Sequence, residues 1–420
     1  MFRHEKITLP YLQITDYPQL SWRGLMLDVS RHFYSIEALK DIIDLLAYYK
    51  MNVFHWHMTD NEGWRLEMKK YPKLTSIGSW RKEIYGSKMY GQDSSLNWKD
   101  TYRYGGYYSQ EEARELVAYA AERQITIVPE IEMPGHSGAV LAAYPQFSCS
   151  QLPQSVPNSA LFNKYNPAPS PNQEYCAGND SSFLFLQDVL REVMSIFPSP
   201  YIHIGGDEVD KTQWKQCARC QKRMQDERLA DESELQSYFI KRIARFLETN
   251  DRKLIGWDEI LEGGLPKNAT VMSWRGEKGG IMAAHAGHEV ILSPSDPFYL
   301  NRYQADPEHE PYAAKYSINT LARVYAYDPY PRALTAAQRK YVKGIQVALW
   351  NEFISDRNHV EYMLLPRLPA AAEVAWSKPE NKNFEKFIER LNLGHFQSWS
   401  WKGCPPLLYT LNSPFLPFLF

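Results

Sequence analysis

Eight short apolar runs alternate along this chain with amphipathic segments, and this alternation constrains the fold most strongly. The runs are rich in β-branched and aromatic residues and have the length of buried strands. They span residues 23–29, 53–59, 125–132, 201–208, 253–260, 270–275, 289–293 and 345–352. Strands that alternate with helices predict a parallel sheet, and eight of them favour a closed (β/α)8 TIM barrel with long βα-loop insertions. A doubly wound sheet is the alternative.

The helical segments between and after these runs are predicted at 35–50, 109–123, 182–197, 233–250, 277–286, 335–343 and 358–376. Three of them begin with a serine that an acid follows closely: Ser35, Ser109 and Ser233. A serine hydroxyl in this position accepts a hydrogen bond from a free backbone N–H of the first turn. These serines are therefore predicted N-caps.

Polar and aromatic residues follow the predicted strands at their carboxyl ends, where barrels of this kind hold their functional groups. Trp257, Trp274 and Trp350 each end a different strand. Because an aromatic face packs against the apolar face of a pyranose, three such indoles predict an aromatic box around one sugar ring.

The fourth strand ends in two adjacent carboxylates, Asp207 and Glu208, which follow two glycines. Like charges so close raise the pKa of one group, so the pair predicts one protonated acid beside one carboxylate. A solvated acidic turn is the alternative for the pair alone, and the other strand ends favour the functional interpretation.

Charge and hydropathy exclude several classes of protein. The chain of 420 residues has 47 basic and 49 acidic residues, interspersed, with a formal net charge of −2. This balance predicts no nucleic-acid partner and no anionic membrane partner. No apolar stretch approaches the length of a membrane span.

Five cysteines leave the redox compartment open. Cys217 and Cys220 have the spacing of half a zinc site, but no second pair or His-x3-His follows, so no metal site is predicted there. Cys149 and Cys176 flank a loop that they could close as a disulfide in an oxidising compartment. Cys404 would then remain unpaired.

Seven segments together resemble the catalytic domain of family 20 glycoside hydrolases, the β-N-acetylhexosaminidases. They are WRGLMLDVSRHF at 22–33, HMTD at 57–60, PGH at 134–136, HIGGDE at 203–208, GWDE at 256–259, SWRG at 273–276 and LWNE at 349–352. The likeness runs in order from about residue 20 to about residue 380. It therefore covers most of the chain.

The resemblance implies an exo-acting, retaining enzyme that removes terminal β-linked N-acetylglucosamine or N-acetylgalactosamine without a metal or an organic cofactor. In this family the substrate's own 2-acetamido carbonyl is the nucleophile, and an oxazolinium intermediate forms. Glu208 matches the general acid and base, and Asp207 matches the carboxylate that orients the acetamido group. Their division of roles would give the pair its one protonated and one charged member.

Other positions match family residues with stated roles. Asp60 and His136 match partners of the general acid, and Tyr299 matches the tyrosine that holds the acetamido carbonyl. The residues that match sugar-binding positions are Arg23, Trp257, Trp274, Trp350 and Glu352. Asn301 stands where the family often has Asp, and an amide is expected to hold a sugar hydroxyl more weakly there.

The predicted organisation is a short lead-in at 1–19, a catalytic domain at 20–385 and a C-terminal tail at 386–420. The first residues lack the apolar core of a secretory signal. The chain is then either cytoplasmic, or periplasmic or secreted with its leader and an N-terminal domain absent. Loops rich in Tyr and Trp can complete a neighbour's site in this family, so a homodimer is a further expectation.

Two other functions remain open on the sequence. A catalytically silent sugar-binding protein would keep the aromatic box without needing Asp207, Glu208 and Tyr299. A metal-dependent barrel hydrolase would use His55 and His57 at the end of the second strand.

Among the remaining polar residues, His203 is expected to be a buried core histidine, and Asp28 and Arg31 are expected to pair locally. Glu130 and Glu132 have either barrel-interior contacts or a substrate role.

Overall fold

The computed structural model describes residues 11–84, 101–158 and 173–392, and these form a closed barrel of parallel strands. The barrel strands are β1 (Trp22–Asp28), β2 (Val53–His57), β3 (Thr126–Glu130), β4 (Tyr201–His203), β5 (Lys253–Trp257), β6 (Thr270–Ser273), β7 (Val290–Leu292) and β8 (Val342–Leu349). Each pairs with the next, and β8 pairs with β1. The predicted (β/α)8 fold and all eight predicted strands are confirmed.

Helices surround the barrel and follow its strands. They are Ile36–Tyr48, Lys73–Ser76, Gln110–Ala121, Gly138–Ala143, Asp180–Ile196, Thr212–Gln216, Ala218–Glu227, Glu232–Glu248, Lys278–His285, Ser295–Phe298, Leu321–Ala326, Ala336–Arg339, Arg357–Leu364, Arg367–Trp376 and Phe384–Arg390. Short strand pairs in the loops join Thr59–Asp60 to Gly63–Trp64, Trp80–Ile84 to Thr101–Gly105, and Arg302–Tyr303 to Ala314–Ile318. Single 3₁₀ turns lie at Pro145–Phe147, Asp258–Leu261, Pro307–His309 and Pro379–Asn381.

Two of the three predicted N-caps are present, and one predicted helix is divided. Ser35 accepts from the N–H of Ala38, and Ser109 forms a capping box with Glu112, so both predicted N-caps are confirmed. Ser233 is not a cap, because Asp231 begins that helix and accepts from two backbone N–H groups. The predicted helix at 358–376 is two helices, since the intervening Pro366 cannot continue the first.

Two layers of packing hold the barrel. The larger core lies between strands and helices, and a smaller cluster fills the barrel interior. The interior cluster contains Trp22, Val53, Val128, Ile255, Trp257, Met272 and Ile291. Because side chains alternate along each strand, polar residues such as His55 and Glu130 point into the barrel near the carboxyl ends of their strands. Both are fully buried.

The predicted boundaries at 19 and 385 lie near the two ends of the described residues. Residues 11–19 lack helix and strand, and the backbone of Gln19 bonds to Trp376 at the end of an outer helix. The predicted boundary at 385 falls inside the helix Phe384–Arg390, whose Phe387 is buried. Most of the predicted tail, 393–420, lies outside the described residues. No helix in the described ranges is long and apolar enough to span a bilayer.

The cysteines differ from the sequence expectation. Cys149 and Cys176 are not joined in a disulfide, and both lie beside Cys220. No second pair of ligands follows Cys217 and Cys220 along the sequence, whereas the fold brings Cys149 and Cys176 to them from the preceding part of the chain. All four sulfurs lie within 4.8 Å of one another.

Candidate active site

A cavity of about 600 Å³ opens at the carboxyl ends of the barrel strands. Nine of the eleven residues proposed from the sequence line it: Asp60, His136, Asp207, Glu208, Trp274, Tyr299, Asn301, Trp350 and Glu352. They come from the loops that follow six different strands. The parallel closed sheet brings these loops together, because the carboxyl ends of all its strands lie on one face.

Arg23 does not line the cavity, and its predicted role in sugar binding is wrong. It lies at the amino end of β1, outside the barrel, where its guanidinium donates to the carbonyls of Lys50 and Leu20 at 2.8 Å each. The indole of Trp376 covers it at 5.2 Å. Strand geometry explains the error, since Trp22 faces the interior and the next side chain must face outward.

Trp257 is also not in the cavity wall. Its side chain is 1% exposed and its Nε1 donates to Glu130 at 3.0 Å inside the barrel. Its ring centroid lies 5.9 Å from that of Trp350, which does line the cavity. Trp257 therefore supports the aromatic wall from below.

Arg31 lines the cavity, and sequence reasoning gave it only a local pairing. Its guanidinium lies 3.4 Å from Asp28, 2.8 Å from Asp60 and 2.9 Å from Glu62. Burial disfavours the charge, but Asp60, Glu62 and Asp28 outweigh it and raise the pKa of Arg31 well above its usual value. The signal that could have found it is its place after the carboxyl end of β1, where a barrel holds functional groups.

The backbone before Asp207 and Glu208 turns through conformations that favour glycine. Gly205 and Gly206 have φ of 68° and 88°, and Glu208 itself has φ of 47°. A Cβ at Gly205 would lie 1.7 Å from an oxygen of buried Glu132, so that side chain would have to move. This sharp turn directs both carboxylates into the cavity.

His136 connects the two carboxylates. Its Nε2 lies 3.5 Å from Asp207 and 3.6 Å from Glu208, and its Nδ1 lies 3.1 Å from Asp60. Burial opposes an imidazolium, but Asp60 and Asp207 raise the pKa of His136 well above its usual value. His136, whose Nε2 lies 3.6 Å away, in turn lowers the pKa of Glu208, against the effect of burial. These shifts favour a proton on His136 and a charged Glu208.

The chain of contacts continues into the barrel. His57 Nε2 lies 3.0 Å from Asp60, and its Nδ1 contacts Glu130. Burial disfavours the imidazolium, but Glu130 and the hydrogen bond with Asp60 raise the pKa of His57 to about 10. Carboxylate oxygens of Glu130 also lie 2.7 Å from His203 and 3.0 Å from His55, so Glu130 has barrel-interior contacts, which is one of its two predicted alternatives. His203 is a buried core histidine, as predicted.

The opposite wall is aromatic. Trp274 and Tyr299 stack with ring centroids 6.0 Å apart and planes 12° apart, and Trp350 lies 6.1 Å from Tyr299. Glu259 fixes the indole of Trp274 by accepting from its Nε1 at 2.9 Å. Burial, and then Asp207, raise the pKa of Glu259 to about 8. The sequence had placed Glu259 in a family segment without giving it a role.

Three acceptor oxygens at the cavity are buried without a hydrogen-bond partner among the described residues: Asp207 Oδ1, Asn301 Oδ1 and Glu352 Oε2. Burial raises the pKa of Glu352 to about 7, against the pull of Arg31. An acceptor without a partner in a buried wall is costly unless a ligand satisfies it. The wall is therefore built to receive a ligand with several N–H or O–H groups.

A carboxylate pair facing stacked aromatic rings, at the carboxyl-end face of a (β/α)8 barrel, is typical of glycoside hydrolases. The profile of glycosyl hydrolase family 20, catalytic domain, matches residues 20–379. The chain belongs to this family.

Several relatives resemble the chain over most of its length. A β-hexosaminidase of Porphyromonas gingivalis is 47% identical over 387 residues, which are 92% of this chain and 47% of the relative. One from Vibrio furnissii is 38% identical over 88% of this chain and 58% of the relative. The crystal structure of an exo-β-N-acetylglucosaminidase from Vibrio harveyi with N-acetylglucosamine has a TM-score of 0.80 at 34% identity, over 92% of this chain and 59% of that one. The chain thus spans about half the length of these curated relatives.

Proposed function

We propose that this chain is an exo-acting, retaining β-N-acetylhexosaminidase in which the substrate's 2-acetamido carbonyl is the nucleophile. The family membership and the β-hexosaminidases among its relatives support the activity. The resemblance to the crystal structure of the Vibrio harveyi exo-β-N-acetylglucosaminidase, at a TM-score of 0.80, supports exo action.

The observation that carries the mechanism is the free oxygen of Asp207. Asp207 is 8% exposed and lines the cavity, and its Oδ1 has no hydrogen-bond partner among the described residues. An acetamido N–H would satisfy this oxygen, and the carboxylate would stabilise positive charge as the acetamido oxygen attacks the anomeric carbon. Tyr299, buried across the cavity, would hold that carbonyl in place.

Glu208 would protonate the leaving oxygen and then activate water. Its side chain is 59% exposed before a substrate is present, and His136 keeps its pKa low. A bound sugar would cover Glu208, and loss of water raises the pKa of a carboxyl. The proton would then pass from His136 to Glu208, 3.6 Å away, as the substrate closes the site.

Polar groups on the remaining walls would bind the ring hydroxyls. Arg31 presents planar donors, and Glu352 and Asn301 present the acceptors described above. Trp274 and Trp350 would enclose the ring and exclude water from it. The amide at Asn301 is expected to weaken the hold on a 4- or 6-hydroxyl, so gluco and galacto substrates should be compared.

A matched pair of aryl glycosides tests the mechanism. An aryl β-N-acetylglucosaminide and the corresponding β-glucoside share the leaving group and differ at the 2-position. If the acetamido group is the nucleophile, kcat/KM for the glucoside should be at least about 10³-fold lower. Asp207→Asn should reduce the rate on the first substrate by about 10²–10³-fold, while the surface variant Asp226→Asn should match the wild type.

Two results would contradict the proposal. Comparable turnover of both glycosides would show that the acetamido group is not the nucleophile. Binding of N-acetylglucosamine by the folded wild type without any turnover would instead favour the silent sugar-binding alternative. NMR of the first-formed anomer checks retention independently, since the β-anomer must appear before mutarotation.

A further inference from the structure

Four cysteines from distant parts of the sequence lie together outside the catalytic cavity. Cys149 and Cys176 are at the two ends of the loop that follows β3, and Cys217 and Cys220 are at the start of the helix Ala218–Glu227. Their sulfur atoms all lie within 4.8 Å of one another. Cys176 and Cys220 are buried, and the other two are partly buried.

Three of the six sulfur–sulfur distances match the edges of a tetrahedron around one ion, and the other three are at most 4.8 Å. Cys149 lies 3.6 Å from Cys220, and Cys176 lies 3.7 Å from both Cys217 and Cys220. A disulfide would need about 2.05 Å. Four thiolates that each bind zinc at about 2.3 Å lie about 3.8 Å apart, and the measured edges are close to this value.

The backbone around the cysteines allows the two parts of the chain to lie close together. A Cβ at Gly178 would lie 2.2 Å from the backbone of Arg219 and 2.5 Å from the amide of Cys220, so only glycine allows the two loops to meet. The Arg219 guanidinium donates to the carbonyls of Ser148 and Cys149 at 2.9 and 3.0 Å. Its positive charge lies between the two loops, where four thiolates would leave negative charge.

We propose that these four cysteines bind a structural zinc ion. Soft sulfur ligands in tetrahedral array are the preferred surroundings of zinc in proteins. With four protein ligands the ion has no open position for water, so its role is to join parts of the chain. Each thiol loses its proton on binding, and up to four protons go to solvent with no change of oxidation state.

The ion would join the two loops that carry the proton-transfer residues. Tyr175, next to Cys176, bonds through its backbone to Pro134, two residues before His136. Its carbonyl accepts from Trp214, in the segment that leads from Glu208 to Cys217. Zinc would therefore fix the loop of His136 against the segment of Glu208, and removing it should loosen both.

Metal content measured by mass spectrometry tests the proposal on the whole chain, purified without a metal-affinity tag. We expect about one zinc ion per chain after dialysis against a weak chelator. A mercurial reagent that caps thiols should release this zinc. A separate sample, denatured with a strong chelator and without the mercurial, should show five reactive thiols, the number of cysteines in the sequence.

Matched variants separate this site from the fifth cysteine. Cys220→Ser should lose the zinc and lower the melting temperature, whereas Cys404→Ser should retain both. Cobalt reconstitution of the wild type supplies a second measurement that needs no variant to fold. It should give the visible absorption of a tetrahedral cobalt thiolate centre.

Three outcomes would overturn the proposal. One is a chain without zinc whose four thiols are blocked as disulfides. Another is a chain with free thiols that takes up neither zinc nor cobalt under reducing conditions. The third is iron in place of zinc in the purified chain. Each would be independent of hexosaminidase activity.

Discussion

Replacing Arg31 by methionine should destabilise the chain, because three buried carboxylates would lose their cation. The side chains of Arg31, Asp28, Asp60 and Glu62 are each at most 7% exposed. At 2.8 Å and an effective dielectric constant of about 20, the attraction to Asp60 alone is about 6 kcal/mol before the cost of desolvation. Since breaking a buried pair costs about 3–5 kcal/mol, we expect a loss of that size in the free energy of unfolding.

The loss should depend on pH in a defined direction. Burial already raises the pKa of the Glu62 carboxyl in the wild type, against the pull of Arg31, and without Arg31 this pKa would rise further. A proton would then neutralise Glu62 at low pH, so the difference between wild type and variant should be smaller at pH 5 than at pH 8. In the wild type, Arg31 opposes desolvation and keeps the pKa of Asp60 well below its usual value.

Denaturant unfolding of both proteins at the two pH values measures this difference. Lys69→Met is the control, since its ion pair with Glu111 is exposed on both sides and should contribute nothing measurable. A loss below about 1 kcal/mol, or a loss that is the same at pH 5 and pH 8, would refute the reasoning. Arg31→Met should also raise KM, because the guanidinium faces the cavity.

Three further predictions follow from other parts of the site. Arg23→Met should reduce the free energy of unfolding by about 1–3 kcal/mol, because it loses two hydrogen bonds to backbone carbonyls, and should leave KM unchanged. A raised KM would show that Arg23 does bind the substrate. Glu208→Gln should slow natural glycosides by about 10²–10⁴-fold and aryl glycosides with good leaving groups far less; equal losses would remove Glu208 as the acid. His57 keeps its proton to a pKa of about 10, and His55 resists protonation to about 4, whereas an unfolded histidine titrates near about 6.5. Stability should therefore fall as pH rises from about 6.5 toward 10 and as it drops toward 4. His136 contributes a high-pH decline of the same sign, so a decline in the denaturant midpoint that is as steep in His57→Gln as in the wild type would contradict this assignment.

The strands and the cavity face could be predicted because their signals are local and repeated. Each barrel strand is a short apolar run, and the chemistry of its carboxyl end follows directly in sequence. Arg23 and Arg31 show where this fails, since both lie in the same family segment. Only the inward and outward alternation along β1, together with its direction, places Arg23 outside at the amino end and Arg31 at the cavity.

The cysteine cluster could not be predicted for a different physical reason. Cys149 and Cys220 are 71 positions apart, and two barrel strands with their loops decide that they meet. Sequence spacing reveals only ligands that are close along the chain. Here it indicates the pair Cys217 and Cys220, which alone is too little to predict a metal site. Trp257 could be predicted in part. Its place at the end of a barrel strand is confirmed, but it lies deeper in the barrel than Trp350 and does not line the cavity.

The electrostatic problem of Asp207 and Glu208 has a different solution from the one that the sequence suggests. Two adjacent carboxylates predict that one of them is protonated, whereas in the structure Asp60 and Asp207 raise the pKa of His136, and His136 lowers the pKa of Glu208. Positive and negative groups alternate from Glu130 through His57 and Asp60 to His136. In the proposed mechanism, a bound sugar would desolvate Glu208, the exposed end of this series, and so move the proton one step toward the leaving oxygen. The acid would then form when the sugar enters, and its strength would depend in part on His57 and Glu130, which are buried and do not line the cavity.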